Sequence, residues 1–223
     1  MSAQIKSYAD PEKLYRYRPL KKPDQEILAI ENAYVWCAAY STLNDPMEGA
    51  YSSSEPLKKS ADYKQVRREI RNKKSVIGIS SFSESHDLEL MWAHYADQFR
   101  GICIEYNMYD LLRKLPDGAE FVRMHYDEKG PIVRRSKKPV EELAKKVFSV
   151  KSYRWQYERE WRLFDQLGAV SYQSAKCVTK VYLGSRISNK NRGAVTRVLG
   201  NLGIPWQEMS IKQYSITFSD SAE

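Results

Sequence analysis

Three cysteines and three histidines are few for 223 residues, and that scarcity narrows the chemistry. Cys37, Cys103 and Cys177 are far apart, with no CxxC spacing and no Cys/His pairing. This argues against a zinc site and for a reducing, cytoplasmic environment. A Ser-His-Asp hydrolase has only His86, His94 and His125 to draw on, and no GxSxG word is present. There is no GxGxxG after a strand-like run and no GxxxxGK[ST], which disfavours Rossmann and P-loop nucleotide sites. No apolar run approaches the ~18 residues of a membrane span, and Met1–Lys6 lacks the apolar stretch of a signal peptide. Internal repeats and low-complexity linkers are also missing. What is present suits a folded domain: 42% hydrophobic and 12% aromatic residues. The chain is long enough to bury a core without disulfide or metal staples.

The net charge of +8 is unevenly spread. Residues 58–74 hold eight Lys/Arg against Asp62 and Glu69, a net of +6, and residues 129–154 hold nine against Glu141 and Glu142, a net of +7. The rest of the chain is therefore at −5. Two basic segments on a mildly acidic body suit a polyanionic partner such as nucleic acid. The same pattern also describes solvated helices or loops. The 58–74 segment has few large apolar residues to bury in a membrane surface.

Hydrophobic periodicity sets out the elements. Asp24 is expected to cap a helix reaching about Asn32, with Ile27, Leu28 and Ile30 as its apolar face. Tyr34–Ala39 is β-rich and runs towards the turn signal Asn44-Asp45-Pro46. Residues 58–74 read as one basic helix, and Val76–Phe82 as a buried strand. Leu88, Met91, Trp92 and Tyr95 follow at helical spacing. Further strands are expected at Gly101–Tyr106, Phe121–Tyr126, Glu160–Asp165 and Val178–Leu183. Pro139 opens a helix with Val140, Leu143, Ala144 and Val147 inward. Another helix, with Val195, Val198, Leu199 and Leu202, stops at Gly203. Tyr214, Ile216 and Phe218 alternate in a final strand. Strands outnumber long helices and do not strictly alternate with them, so the expectation is α+β: a single compact domain over 14–218 with a mixed, mainly antiparallel sheet and flanking helices. Residues 1–13 form an arm and 219–223 a tail.

Four clusters carry polar chemistry. In Leu14-Tyr15-Arg16-Tyr17-Arg18, strand alternation puts the tyrosines on one face and the arginines on the other. An arginine there offers a fork to a phosphate or carboxylate, unless the strand is an exposed edge. In Leu43–Gly49, a shaped loop offers Asn44, Asp45 or Glu48 to a ligand, or is a plain turn. Ser80-Ser81-Phe82-Ser83-Glu84 ends a buried strand in hydroxyls, and Met91–Tyr95 follows. In Trp155–Arg162, a strand would set Glu158 and Glu160 on one face, where paired carboxylates divide labour, one raised in pKa and one ionised. Arg159 and Arg162 can equally pair with them in a salt-bridged strand.

Taken together and in order, Tyr15-Arg16-Tyr17-Arg18, Asn44-Asp45-Pro46-Met47-Glu48, Ser81-Phe82-Ser83-Glu84, Met91-Trp92-Ala93-His94-Tyr95-Ala96, Gly101 and Tyr157-Glu158-Arg159-Glu160-Trp161-Arg162 resemble the bacterial domain-of-unknown-function 2971 family. The likeness runs from about Leu14 to about Phe218. It supplies no activity. The layout is also similar, more loosely, to ADP-ribosyltransferases of the arginine, serine-x-serine, glutamate-x-glutamate kind, with Phe82 in place of their small hydroxyl residue. That similarity implies that Arg16 or Arg18 holds the phosphates or ribose of NAD and that Ser81 and Ser83 support the nicotinamide ribose. It further implies that Trp92 or Tyr95 stacks on nicotinamide, that Glu160 stabilises the oxocarbenium-like centre, and that Glu158 orients or deprotonates the acceptor.

Three functions follow as expectations. The leading one is an NAD-dependent ADP-ribosyltransferase-like enzyme, a toxin or phage-defence effector that modifies nucleic acid or protein. The second is a nucleic-acid-binding module without catalysis, using the basic segments with Tyr63, Tyr153 and Trp155. The third, ranked lower, is a metal-dependent nuclease that gathers Asp45, Glu48, Glu158 and Glu160 around Mg²⁺.

Overall fold

The computed structural model describes residues 10–220. Most of the expected 1–13 arm therefore lies outside the described residues. Strand β1 (Lys13–Arg18) leads through Pro19 into helix α1 (Pro23–Glu31). Pro23, not Asp24, opens that helix: at the first helical position its missing N–H costs nothing and its φ is already set. Ile27, Ala29 and Ile30 are buried, but Leu28 is 47% exposed, so the inward face is narrower than expected. Strand β2 (Tyr34–Ala39) follows, then β3 (Ser52–Ser53) and α2 (Glu55–Lys58). The basic helix α3 (Tyr63–Val76) begins only after a break at 59–62, which corrects the single helix expected over 58–74.

Next come β4 (Ile77–Ser83), α4 (Glu89–Tyr95), β5 (Ile102–Asn107) and α5 (Met108–Lys114). Helix α5 was not expected. It is started by Asn107, whose side-chain oxygen accepts the Asp110 N–H at 2.9 Å. The run expected as one strand at 121–126 is two, β6 (Glu120–Arg123) and β7 (His125–Asp127), parted at Met124, whose N–H donates to the Glu160 carbonyl. Then follow β8 (Ile132–Val133), α6 (Val140–Phe148), β9 (Val150–Ser152), β10 (Glu160–Gln166), β11 (Gly168–Ser171) and β12 (Val178–Leu183). Helix α7 (Asn189–Leu202) ends at Gly203, which takes the left-handed φ of 66°. The chain closes in a hairpin of β13 (Trp206–Lys212) and β14 (Ser215–Asp220). Tyr214 sits in its exposed turn rather than in the last strand, and residues 219–220 belong to that strand rather than to a tail.

The architecture is α+β with a mixed, mainly antiparallel sheet. The main sheet runs β11-β2-β4-β1-β5-β12-β13-β14, with β10 and β6 branching from β4. Its β12–β13 pair is parallel, as are the short pairs β3–β8 and β7–β9. β1 is central, paired along its length with β5, which corrects the alternative of an exposed edge.

The branching makes the site. A strand has two edges, and β10 occupies one edge of β4 for all seven residues, Glu160↔Ser83 through Gln166↔Ile77. On the other edge β2 pairs at Ile79 and Gly78, and β1 pairs only at Ser83. Ser80–Phe82 therefore pairs with neither β1 nor β2, and the sheet forks there. One face carries the main core: Leu14, Phe82, Ile102, Ile104, Leu163 and residues of α1 and α7. The opposite face carries an aromatic cluster of Tyr15, Tyr17, Met91, Trp92 and Tyr182.

Candidate active site

A cavity of about 300 Å³ fills the fork, at the lower end of the usual size of ligand sites. Because the sheet is parted there, side chains from both of its faces reach one space. The walls include Tyr15, Arg16, Tyr17 and Arg18 in succession, with Ser80 and Ser81 from β4, Tyr95 from α4, and Glu158 and Glu160. Asn44, Asp45 and Glu48 close it from the loop after β2. The three expected sources, β1, the strand-end serines and the glutamate pair, thus meet in one place.

Within this set, residues with expected roles divide. Ser83 is fully buried and outside the lining, its hydroxyl donating to the Glu158 carbonyl at 2.7 Å, so it positions the glutamate loop. Trp92 is likewise fully buried, its indole N–H donating to the His86 carbonyl at 2.7 Å while its ring packs on Tyr17 and Phe99. Neither touches the cavity, which corrects the direct ligand contacts expected of them. Arg18 lines the wall but is held in a two-point fork by Glu26, at 2.7 and 2.5 Å. Asp45 is spent locally, its carboxylate accepting the Met47 N–H at 2.8 Å. Asn44 is exposed at the mouth, within hydrogen-bonding reach of the Tyr95 hydroxyl.

The glutamate pair is set by a backbone kink rather than by strand alternation. Tyr153–Glu158 is a 3₁₀ turn, Arg159 takes a left-handed φ of 45°, and Glu160 then starts β10. Lys151 of β9 bridges the two carboxylates, 2.6 Å from Glu158 and 3.1 Å from Glu160. Arg162, two residues along β10 and so on the same face as Glu160, donates from Nε to Glu160 at 2.7 Å. Its other nitrogens hold Glu48, at 2.9 and 2.5 Å, and the Phe148 carbonyl. Arg159 is exposed and takes no part. Arg162 was expected as an ion-pair partner of the glutamates and is one for Glu160; Lys151 was expected only as part of the basic segment 129–154 and not at the site.

These contacts separate the two carboxylates. Burial pushes Glu160 up most strongly, but Arg162 and Lys151 outweigh it, with Ser81 hydrogen bonding as well, and hold it at about 2. Burial also pushes Glu158 up, and there Lys151 does not win, with the like charge of Glu160 adding to the rise. The Tyr95 hydroxyl, raised by burial, stays protonated and donates to Glu158 at 2.6 Å. Glu48, Glu158 and Glu160 against Lys151 and Arg162 leave one negative charge in excess, and Glu158 is where a proton would cancel it.

The other end of the cavity is the reverse. Arg16 is only 6% exposed and, among the described residues, has no carboxylate in ion-pair contact, although the charge of Glu26 reaches it from farther off; it donates to the Trp36 carbonyl at 2.9 Å, and its guanidinium lies over the Phe82 ring. Burial and the like charge of Arg18 depress its basicity. In the same cavity lining, the Ser80 hydroxyl is buried without a hydrogen-bond partner among the described residues. Trp36, 54% exposed at the rim, presents a broad aromatic face that the sequence reading missed. A buried guanidinium with no contact ion pair and an orphaned hydroxyl are costly unless a ligand completes them. This pair fits an anionic group such as a phosphate.

Among the described residues no group of three or more His, Cys, Asp or Glu is placed to hold a metal ion. At Glu158 and Glu160 cations already stand where a divalent ion would bind, so the donor chemistry does not favour the nuclease reading. No helix among the described residues is long and apolar enough to cross a membrane.

Searches of curated proteins and of solved structures return no match. A family model described as Protein of unknown function (DUF2971) matches residues 91–163. That stretch contains most of α4, with Tyr95, the bridging Lys151, the Glu158–Glu160 pair and Arg162. The match over the acidic half of the cavity supports the family that the sequence words resemble, DUF2971.

Proposed function

We propose that the cavity binds NAD and transfers its ADP-ribosyl group. The observation that supports this reading is the convergence of Arg16, Ser81, Tyr95, Glu158 and Glu160 on one cavity from distant parts of the chain. Arg16 and Ser80 would hold a phosphate of the dinucleotide, Trp36 and Tyr95 would offer aromatic faces, and Ser81 would reach the ribose. The cavity is small for a whole dinucleotide, so the nicotinamide end would sit inside and the remainder would leave through the mouth.

The transfer breaks the bond between ribose C1′ and the nicotinamide nitrogen, and nicotinamide leaves with that electron pair. An acceptor oxygen or nitrogen then bonds to C1′, and its proton passes to the Glu158 carboxylate. The upward shift of Glu158 makes its carboxylate a stronger proton acceptor than an ordinary glutamate. The single excess negative charge of the cluster faces the positive charge that develops at C1′. Glu160, neutralised on both oxygens, is better suited to fixing Lys151 and Arg162 than to touching the substrate. The test is release of nicotinamide from labelled NAD in the presence of cell lysate, comparing wild type with Glu158→Gln. Turnover in the wild type that falls at least ~100-fold in the variant supports the reading, since general acid–base groups contribute on that order. No turnover by folded wild type across lysates would remove it.

A further inference from the structure

The two basic segments, distant in sequence, form a single lobe. α3 packs on α6 through Ile70 and Val147, and Leu57 of α2 and Val133 of β8 join the same apolar cluster. Beside it runs a groove of about 590 Å³, larger than the candidate active site. Lys129, Arg134 and Lys146 line it, all exposed and none with an acidic partner among the described residues. Its acidic members are Asp127, whose carboxylate accepts the Lys129 N–H at 2.9 Å, and Glu142, held by Lys138 at 2.8 Å. The floor is apolar, with Ile132, Val147 and Val150. Tyr153 stands exposed just beyond β9.

The wall between groove and cavity is the two-stranded ribbon β7–β9, in register His125↔Val150, Tyr126↔Lys151 and Asp127↔Ser152. Alternation sends its residues both ways. His125, Asp127 and Val150 line the groove. Tyr126 accepts the Glu160 N–H at 2.7 Å, and Lys151 bridges the glutamates. Whatever lies in the groove is therefore one strand's thickness from the carboxylate cluster.

We infer that this groove binds single-stranded nucleic acid and brings it beside the cavity as the acceptor. Uncompensated cations track a phosphate backbone, while the apolar floor and exposed rings of Tyr153 and His125 suit unstacked bases. A duplex hides its bases from such a floor. The acceptor role rests on the transferase reading; the binding does not.

The experiment is fluorescence anisotropy of the full chain with a labelled single-stranded oligonucleotide, titrated with salt. Expected is binding whose log K falls linearly with log salt, with a slope of about −0.7 per phosphate contacted. The double variant Arg134→Ala/Lys146→Ala should weaken binding at least ~10-fold and shallow that slope, with an unchanged circular dichroism spectrum. Arg16→Met should leave it unaltered, which separates failure of the groove from failure of the cavity. No binding at low salt, unchanged affinity in the double variant, tighter binding of a duplex of equal length, or preference for anionic vesicles over the oligonucleotide would each overturn the inference.

Discussion

The two ends of the cavity solve the problem of buried charge in opposite ways. At one end Glu48, Glu158, Glu160, Lys151 and Arg162 form one ion-pair network, in which Arg162 places its nitrogens on two carboxylates and a carbonyl. At the other end Arg16 and Ser80 are buried with almost nothing to bind. A self-satisfied network is part of the scaffold, because breaking it leaves a charge alone in a place that water does not reach. An unsatisfied pair is costly to the fold and is explained by a ligand. Stability and ligand binding should therefore respond oppositely to substitutions at the two ends.

The largest effect on the fold is expected at Arg162. Arg162→Met removes the fork on Glu48 and the Nε contact on Glu160, leaving Lys151 as the one cation against three carboxylates, and should lower stability by about 3–5 kcal/mol, read by chemical denaturation. A loss below ~1 kcal/mol would mean that the network does not hold the fork. At the other end, Arg16→Met removes a buried charge with no contact ion pair. It should leave stability unchanged or raised by about 0.5–2 kcal/mol while NAD affinity falls at least tenfold, read by calorimetry in parallel with thermal melting. Equal losses of stability and binding would erase the contrast.

Much of the fold was legible because the segments are strongly periodic: Tyr34–Ala39, Val178–Leu183 and the helix ending at Gly203 stand where the pattern puts them. Helix α5 and strand β13 were not legible. Tyr109 and Leu112 of α5 face outward, and Gln207 and Glu208 interrupt the alternation of β13. The site was legible as words but not as contacts. Glu158 and Glu160 meet through the left-handed turn at Arg159, and Lys151 joins them only through the parallel pairing of β9 with β7, which no local pattern announces. Trp92 has the helical spacing of a core residue and is one.

Acid should sharpen the difference between the two carboxylates. Glu160 is held at about 2 in the fold, below its ordinary value of 4.5, so the stability it contributes is full above 4.5 and is lost as pH falls towards 2. Denaturation across that window should show a slope that is shallower in Glu160→Gln. Glu158 is shifted upward, so nicotinamide release should rise with pH through its raised pKa, and Glu158→Gln should flatten that limb. The smallest effect on the fold belongs to Trp36. Trp36→Ala should change stability by no more than about 0.5 kcal/mol and weaken NAD binding by about 1–3 kcal/mol if the indole stacks on the ligand.

The most direct measurement is nicotinamide release from NAD by wild type, Arg16→Met and Glu158→Gln, each shown folded by its melting transition. Release is expected from the wild type alone, with Arg16→Met at least as stable as wild type. Release by Arg16→Met at the wild-type rate, or none by the wild type with any lysate, would contradict this expectation.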